Sequence, residues 1–299
     1  MTGRLGRAGA SLGGFPPAGL ILVAILSVEG GSALAAALVR NHTPSTVVAL
    51  RIALTAVVLL VARRPDIAGA PPGAVRRAVL LGLVIAAMNS LFYIAISRVP
   101  LGVVVTLEFW GPLTVAVAGS RRPVDLAWVA MSAVGIWILG GGRLVADDAL
   151  GVVAALAAGG CWGLFIVLGG RVARDFPVGS GLAISTTAAA LVVVPVAIAS
   201  GAPAELAADP GLIVLGAAVA LTSSLIPWIL ELTAMRRMAS ATYGILMSLE
   251  PAVATVFGAA VLGQALAPAE LAAIGLVVGA SAGASRTSAP APVPGELEP

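Results

Sequence analysis

Ten stretches of 17 to 23 predominantly apolar residues follow one another through the chain, separated by short segments that hold most of the charge. They are Ala18–Val39, Pro44–Ala62, Ala78–Ile96, Leu101–Gly119, Pro123–Gly142, Ala149–Gly170, Val178–Ser200, Gly211–Thr233, Ser240–Leu262 and Pro268–Ala284. A helix needs about 20 apolar residues to cross a bilayer, so each run suffices for one crossing, the shorter ones near the lower limit. Composition agrees. Of 299 residues 59% are hydrophobic and only 10% charged, with a mean hydropathy of +1.06. Soluble domains carry about 25% charged residues, so a water-soluble fold of this size would lack the polar atoms to cover itself. The pattern predicts an all-α, polytopic membrane protein embedded in the lipid bilayer. A large soluble domain, a disordered chain and a disulfide-built module are excluded.

Residue counts exclude further chemistry. Cys161 is the only cysteine and His42 the only histidine, which rules out an internal disulfide, a cysteine metal site and a multi-histidine centre. All 17 basic residues are arginine. Without lysine no G-x-x-x-x-G-K-[ST] phosphate loop exists, so ATP is not the motor and no cofactor is called for. The arginines lie between apolar runs and aromatics are scarce, which gives nucleic-acid binding no support. Arg4 and Arg7 ahead of an apolar run raise the reading of a cleaved signal peptide. The run continues to Val39, however, and carries Glu29, and cleavage would leave nine spans. The segment is therefore read as retained.

Orientation follows from the arginines. With the N-terminus inside, cytoplasmic segments hold Arg4, Arg7, Arg63, Arg64, Arg76, Arg77, Arg121, Arg122, Arg171, Arg174, Arg236, Arg237 and Arg286. The opposite side holds Arg40, Arg98 and Arg143, while Arg51 falls inside a span. Thirteen against three, alternating loop by loop, is the positive-inside pattern. It predicts a multi-pass protein of the cell (inner) membrane with both termini cytoplasmic. The Pro-, Ser- and Ala-rich end, residues 285–299, is expected to be a disordered tail, and residues 1–17 a short cytoplasmic lead.

An internal repeat divides the chain. Leu107-Glu108 recurs as Leu249-Glu250, 142 positions later, each pair followed by proline (Pro112, Pro251). Downstream, Pro123-Val124-Asp125 is matched by Pro268-Ala269-Glu270, and Gly30-Gly31 in the first span corresponds to Trp162-Gly163 in the sixth. The chain reads as five spans (residues 18–142) plus five (residues 149–284). An odd number of crossings per unit forces the halves into opposite orientations. Such inverted repeats put the substrate site near the bilayer midplane, at the interface between halves. Chance likeness of Ala- and Val-rich helices is the competing explanation, and the arginine pattern weighs against it.

The stretches Pro44 to Arg51, Leu107-Glu108-Phe109 and Leu249-Glu250-Pro251 resemble the EamA-type branch of the drug/metabolite transporter superfamily, over nearly the whole chain. Leu107-Glu108-Phe109-Trp110-Gly111-Pro112-Leu113, Ser120 to Asp125 and Tyr243 to Ala252 are similar to its homoserine/threonine exporter subgroup. The resemblance implies export of small metabolites, neutral amino acids first, driven by a proton gradient. The first-half motif has Phe109-Trp110-Gly111 before its proline where the second has none, so the halves are not interchangeable.

Ionisable groups at membrane depth are costly and mark function by default. Glu29 and Arg51 fall near the centres of the first two spans, and antiparallel neighbours would let them pair. That pair would either lock two helices or leave Arg51 to hold a substrate carboxylate. Glu108 and Glu250, related by the repeat, have no cation on their own helices and are the candidates for carrying protons. The alternative is that each carboxyl holds a proline-bent helix in shape. Glu231 is expected to pair with Arg236 or Arg237. Asn89 and Tyr93, four apart on one helical face, are candidates to line a cavity. Tyr243 joins the substrate-binding candidates, and Trp110 and Trp162 are too central for interfacial anchors and read as walls or gates. Trp228 reads as an interfacial anchor and Trp128 and Trp137 as packing or lipid-facing residues. Gly159, Gly160, Gly163, Gly258 and Gly263 read as close-packing surfaces.

The leading reading is a secondary active exporter whose partners are a small-molecule substrate and protons, with a homodimer open to it. A multidrug or nucleotide-sugar-like carrier is the alternative in the same class. An intramembrane enzyme on lipid-linked substrates lacks a zinc set or a Ser-His pair, and a sensor would lack an output domain.

Overall fold

The computed structural model describes residues 14–39, 41–63, 65, 67–96, 98, 104, 107–119, 122–139, 148–177, 179–253, 256 and 267–287. Among these residues all regular structure is helical. In order, the helices are α1 (Pro17–Val39), α2 (Pro44–Arg63), α3 (Ala74–Ile96), α4 (Trp110–Gly119), α5 (Pro123–Leu139) and α6 (Ala149–Asp175). Then follow α7 (Ser180–Ala199), the short α8 (Ala202–Ala208), α9 (Gly211–Met235), α10 (Ser240–Met247) and α11 (Pro268–Thr287). Every one of the ten apolar runs contains one of these helices. Five helices (α2, α3, α6, α7, α9) are long and apolar enough to cross a membrane by themselves.

Local chemistry sets the helix ends. Proline opens α1, α2, α5 and α11, where its missing N–H would have had no partner in any case. Asp148 caps α6 by accepting the Gly151 N–H at 2.9 Å, and Arg98 donates to its other oxygen at 3.1 Å. The Gly151 bond, seconded by Arg98, holds the Asp148 carboxyl below the ordinary carboxylate range. The turn into α7 passes through Gly179 at φ +95°, packed against the Arg63 side chain, a conformation that favours glycine.

The outside is apolar. Val61, Leu191 and Val214 are 75%, 73% and 72% exposed. A water-soluble surface avoids large contiguous apolar patches, whereas a bilayer accepts them. The inside is built from small residues that bring backbones together. The α3–α7 seam has Gly82 against the Ser185 carbonyl, while Ser185 Oγ donates to Ala78 O at 2.7 Å. Gly111 of α4 abuts the Gly159 carbonyl of α6, and Gly163 faces Gly111. The close-packing expectation thus holds for Gly159, Gly160 and Gly163, while Gly258 and Gly263 lie outside the described residues.

Packing is largely non-sequential. α3 packs on α6 and α7, α1 on α9, and α2 on α7 and α9, while α4 packs on α10 and α6 and α5 on α11. Polar contacts at the helix ends fall into two groups. In one, Thr43 N–H donates to Glu205 and His42 stands 3.6 Å from Asp209, while Arg98 meets Asp148. In the other, Arg77 pairs with Asp175 at 2.6 Å and Arg237 donates to Phe15 O at 2.7 Å. α11 runs three residues beyond the predicted tenth span, to Thr287. The remainder of the expected tail, 288–299, lies outside the described residues, as do 101–103 and 105–106 of the fourth run and 257–262 of the ninth.

Candidate functional site

Two polar groupings lie inside the bundle. The first is centred on Arg51, at mid-length of α2. One guanidinium nitrogen donates to Asn89 Oδ1 on α3, and Asn89 Nδ2 donates back to Ile85 O at 2.8 Å. The guanidinium carbon lies 6.0 Å from the Trp228 ring centroid on α9, within cation–π range. Tyr93, one turn beyond Asn89, lies within electrostatic reach of Arg51. The structure therefore brings together Arg51, Asn89 and Tyr93, all expected, and adds Trp228, which is 5% exposed and buried in the bundle rather than at an interface.

The second grouping is acidic. Glu250 lies within electrostatic reach of Glu29, Glu231 and Glu108, which come from α9 and from two other segments. Glu108 and Glu231 are buried, and Glu29 and Glu250 half-buried. Tyr243 on α10, fully buried, donates its hydroxyl to Glu231 Oε2 at 2.9 Å. Among the described residues none of these four glutamates forms an ion pair. Both Leu-Glu motifs sit at helix interruptions: the helical course breaks at Phe109, directly after Glu108, and at Ser248, just before Leu249-Glu250.

Two expectations are corrected here. Glu29 does not pair with Arg51. α1 packs mainly on α9, so Glu29 faces the carboxylate cluster while Arg51 turns to Asn89. Glu231 does not pair with Arg236 or Arg237 either; it is buried against Tyr243, and Arg237 reaches Phe15 instead. Sequence spacing offers one clue to Glu231: it shares a helical face with Trp228 and Met235, both buried. Trp110, read as a cavity wall, packs on Gly159 beside the Glu108 carbonyl. Its ring is 42% exposed, rests on Gly159 and Gly160, and donates to Leu156 O at 2.8 Å. Trp162 keeps an interior place, its ring meeting Phe109 edge-on at 4.8 Å between centroids beside Glu108.

Residues 149–286 match the EamA-like transporter family. Over 274 residues, 91% of this chain, the sequence is 39% identical to the threonine/homoserine exporter RhtA of Escherichia coli (strain K12), covering 92% of that protein. The chain belongs to the EamA-like transporter family. It is thus an integral membrane transporter and not an enzyme. This EamA-like chain is also 35% identical, over 90% of each chain, to the threonine/homoserine exporter RhtA of Salmonella typhimurium (strain SL1344). A crystal structure of another protein superposes with a TM-score of 0.72 at 20% identity, over 89% of this chain and 95% of that one, a likeness of fold alone.

Proposed function

We propose that this EamA-like transporter exports small neutral amino acids, threonine and homoserine first, from the cytoplasm by proton antiport. The observation that carries the cargo is the 39% identity across nine-tenths of the chain to exporters named for those two amino acids. The buried polar groupings support the mode of action. Glu29, Glu108, Glu231 and Glu250 offer carboxylates that bind an ammonium or a proton in turn, and such competition is what couples efflux to proton entry. Arg51, Asn89, Tyr93, Trp162 and Tyr243 complete the polar lining around the substrate, with Glu108 and Glu250 as the proton carriers.

Alternating access by rocking of two inverted halves, 18–142 and 149–284, is the motion we infer. Its support is the packing. Under a pairing of each span with the one five later, α3 on α6 answers to α9 on α1, and α3 on α7 answers to α9 on α2. α2 with α7, α4 with α10 and α5 with α11 answer to themselves. The helix-end contacts support the alternation of spans, because His42, Glu205, Arg98 and Asp148 lie at helix ends of one side and Arg77, Asp175, Phe15 and Arg237 at those of the other. The arginine asymmetry is what assigns the second side, with both termini, to the cytoplasm in the cell membrane.

The test is counterflow. Purified protein in liposomes preloaded with unlabelled threonine should accumulate external labelled threonine, and homoserine should compete. Absence of threonine counterflow in well-folded protein would remove the cargo assignment. Four clustered acids favour a cationic cargo as the second reading, which accumulation of a labelled organic cation in the same liposomes would support.

A further inference from the structure

We infer that the widened turn of α9 is a carboxylate-binding site, in which Ser224, with Ser223 beside it, and the Arg51 guanidinium take the carboxylate of the transported molecule. This rests on the amino-acid reading above and gives it an address for one end of the zwitterion.

At Leu221–Leu225 the helix opens to a π turn, with the Ile226 N–H bonding to Leu221 O. Such turns are rare and concentrate at functional sites. Pro227 has no N–H to return to the carbonyls of Thr222 and Ser223, which permits the widening. Neighbouring helices stabilise it. Ser27 Oγ of α1 donates to Thr222 O at 2.7 Å, and Thr55 Oγ1 of α2, which donates to Arg51 O, lies 3.4 Å from Ala220 O. Gly31 of α1 has no side chain to keep α1 off this turn, since a Cβ there would collide with Ser223 Oγ and Thr222 Oγ1. Three helices hold the irregular turn in place.

What remains unsatisfied identifies the ligand. Among the described residues, three buried side-chain polar atoms lack a hydrogen-bond partner: Ser223 Oγ, Ser224 Oγ and Arg51 Nε. Buried polar groups are almost always paired, so these three orphans call for a partner. Ser224 is fully buried and Ser223 95% buried, being 5% exposed. Ser224 lies four residues after Ala220, whose carbonyl meets Thr55, and four before Trp228, whose ring lies over Arg51. Thr55 is one turn beyond Arg51 and bonds back to Arg51 O at 2.7 Å. Ser224 thus lies on α9 between a turn that meets α2 at Thr55 and the ring that lies near Arg51.

A guanidinium N–H and two hydroxyls are all able to donate, and a carboxylate is the group that accepts several such bonds at once. The positive charge selects an anion over a cation. The glutamates cannot fill this role, because they gather around Glu250 and Tyr243 and leave Arg51 without an ion pair among the described residues. Glu231 follows Trp228 by three residues, so the acidic grouping begins about one helical turn from the ring that lies near the guanidinium. An ammonium at one grouping and a carboxylate at the other would fit a single amino acid.

The test uses purified full-length protein, with labelled-threonine counterflow and thermal stabilisation by threonine, threoninol (its carboxylate reduced to an alcohol) and acetate. Wild-type protein should be stabilised by threonine and not by threoninol. Ser224→Ala should raise the threonine KM about tenfold with Vmax within twofold, and Ser224→Thr, which keeps the hydroxyl, should restore it. A merely structural hydroxyl would lower thermal stability without moving KM. Threonine transport in which Ser224→Ala leaves KM and the threonine–threoninol discrimination unchanged overturns the site and spares the cargo assignment. Stabilisation by acetate that is lost in Ser224→Ala, in a protein that moves no threonine, supports the site and refutes the cargo. A wild-type protein stabilised by no carboxylate overturns the site.

Discussion

Tyr243 on α10 donates its hydroxyl to Glu231 on α9 at 2.9 Å, with both side chains buried in the bundle. Tyr243→Phe removes that donor and nothing else. A buried acceptor left without its partner costs about 1–3 kcal/mol, so the variant should unfold more easily by that order. Transport should also change its pH dependence, since Glu231 then binds a proton without competition from the tyrosine. A thermal melt and a pH profile of counterflow check both; a variant with wild-type values in each would separate this bond from the site.

Proton coupling is expected to reside in Glu108, Glu250 or both. Glu→Gln keeps shape and hydrogen-bonding capacity while abolishing titration. Glu108→Gln and Glu250→Gln should preserve threonine exchange in at least one case and lose flux driven by a pH gradient. Gradient-driven flux unchanged in both variants would dismiss the carboxylate mechanism.

Glycine substitutions should differ in sign. Gly31→Ala drives a methyl group into Ser223 and Thr222, and Gly111→Ala into the Gly159 backbone. Each should destabilise by about 1–3 kcal/mol, the usual cost of overpacking. Gly275 on α11 has open space where a Cβ would stand, with nothing within 4 Å, so Gly275→Ala should be neutral or stabilising by up to about 1 kcal/mol through helix propensity. Thermal stability in detergent compares the three; a destabilised Gly275→Ala beside a neutral Gly31→Ala would contradict the packing described.

Acid should loosen the start of α6. Asp148 is held below its ordinary value by the Gly151 N–H and then Arg98. A carboxyl depressed in the folded state adds stability that is present above its unfolded value of about 3.9 and is lost as pH falls through the folded value. Asp148→Asn still caps the helix but does not titrate. Its stability should therefore fall less than that of wild type below about pH 4, which amide exchange at Leu150 to Val152 would report.

Much of the fold is legible in the sequence because bilayer chemistry is one-dimensional. Apolar run length and the prolines at 44, 123 and 268 locate a helix in each run, with both ends within a few residues for α1, α2, α7 and α9, whereas α4 begins only at Trp110 and α10 ends at Met247. The seven-residue α8 escapes because it is too short to register as an apolar run. The π turn escapes because Thr222-Ser223-Ser224 before Pro227 reads as an ordinary helix until its neighbours are known. The site is half legible. Arg51, Asn89 and Tyr93 are visible as polar groups in apolar helices, yet pairing Arg51 with Glu29 assumes that consecutive helices pack together. The helices choose partners by surface shape, α1 on α9 and α2 on α7 and α9, and period and hydropathy carry no record of that choice. Glu231 goes to Tyr243 for the same reason.

The most direct measurement imposes a pH gradient on liposomes loaded with labelled threonine and follows efflux of label together with internal pH. The account predicts efflux accelerated several-fold when the outside is acid, with matching acidification of the interior, and both lost when Glu108 and Glu250 are changed together to Gln. Threonine efflux indifferent to the gradient, or proton entry that continues in the double variant, would contradict it.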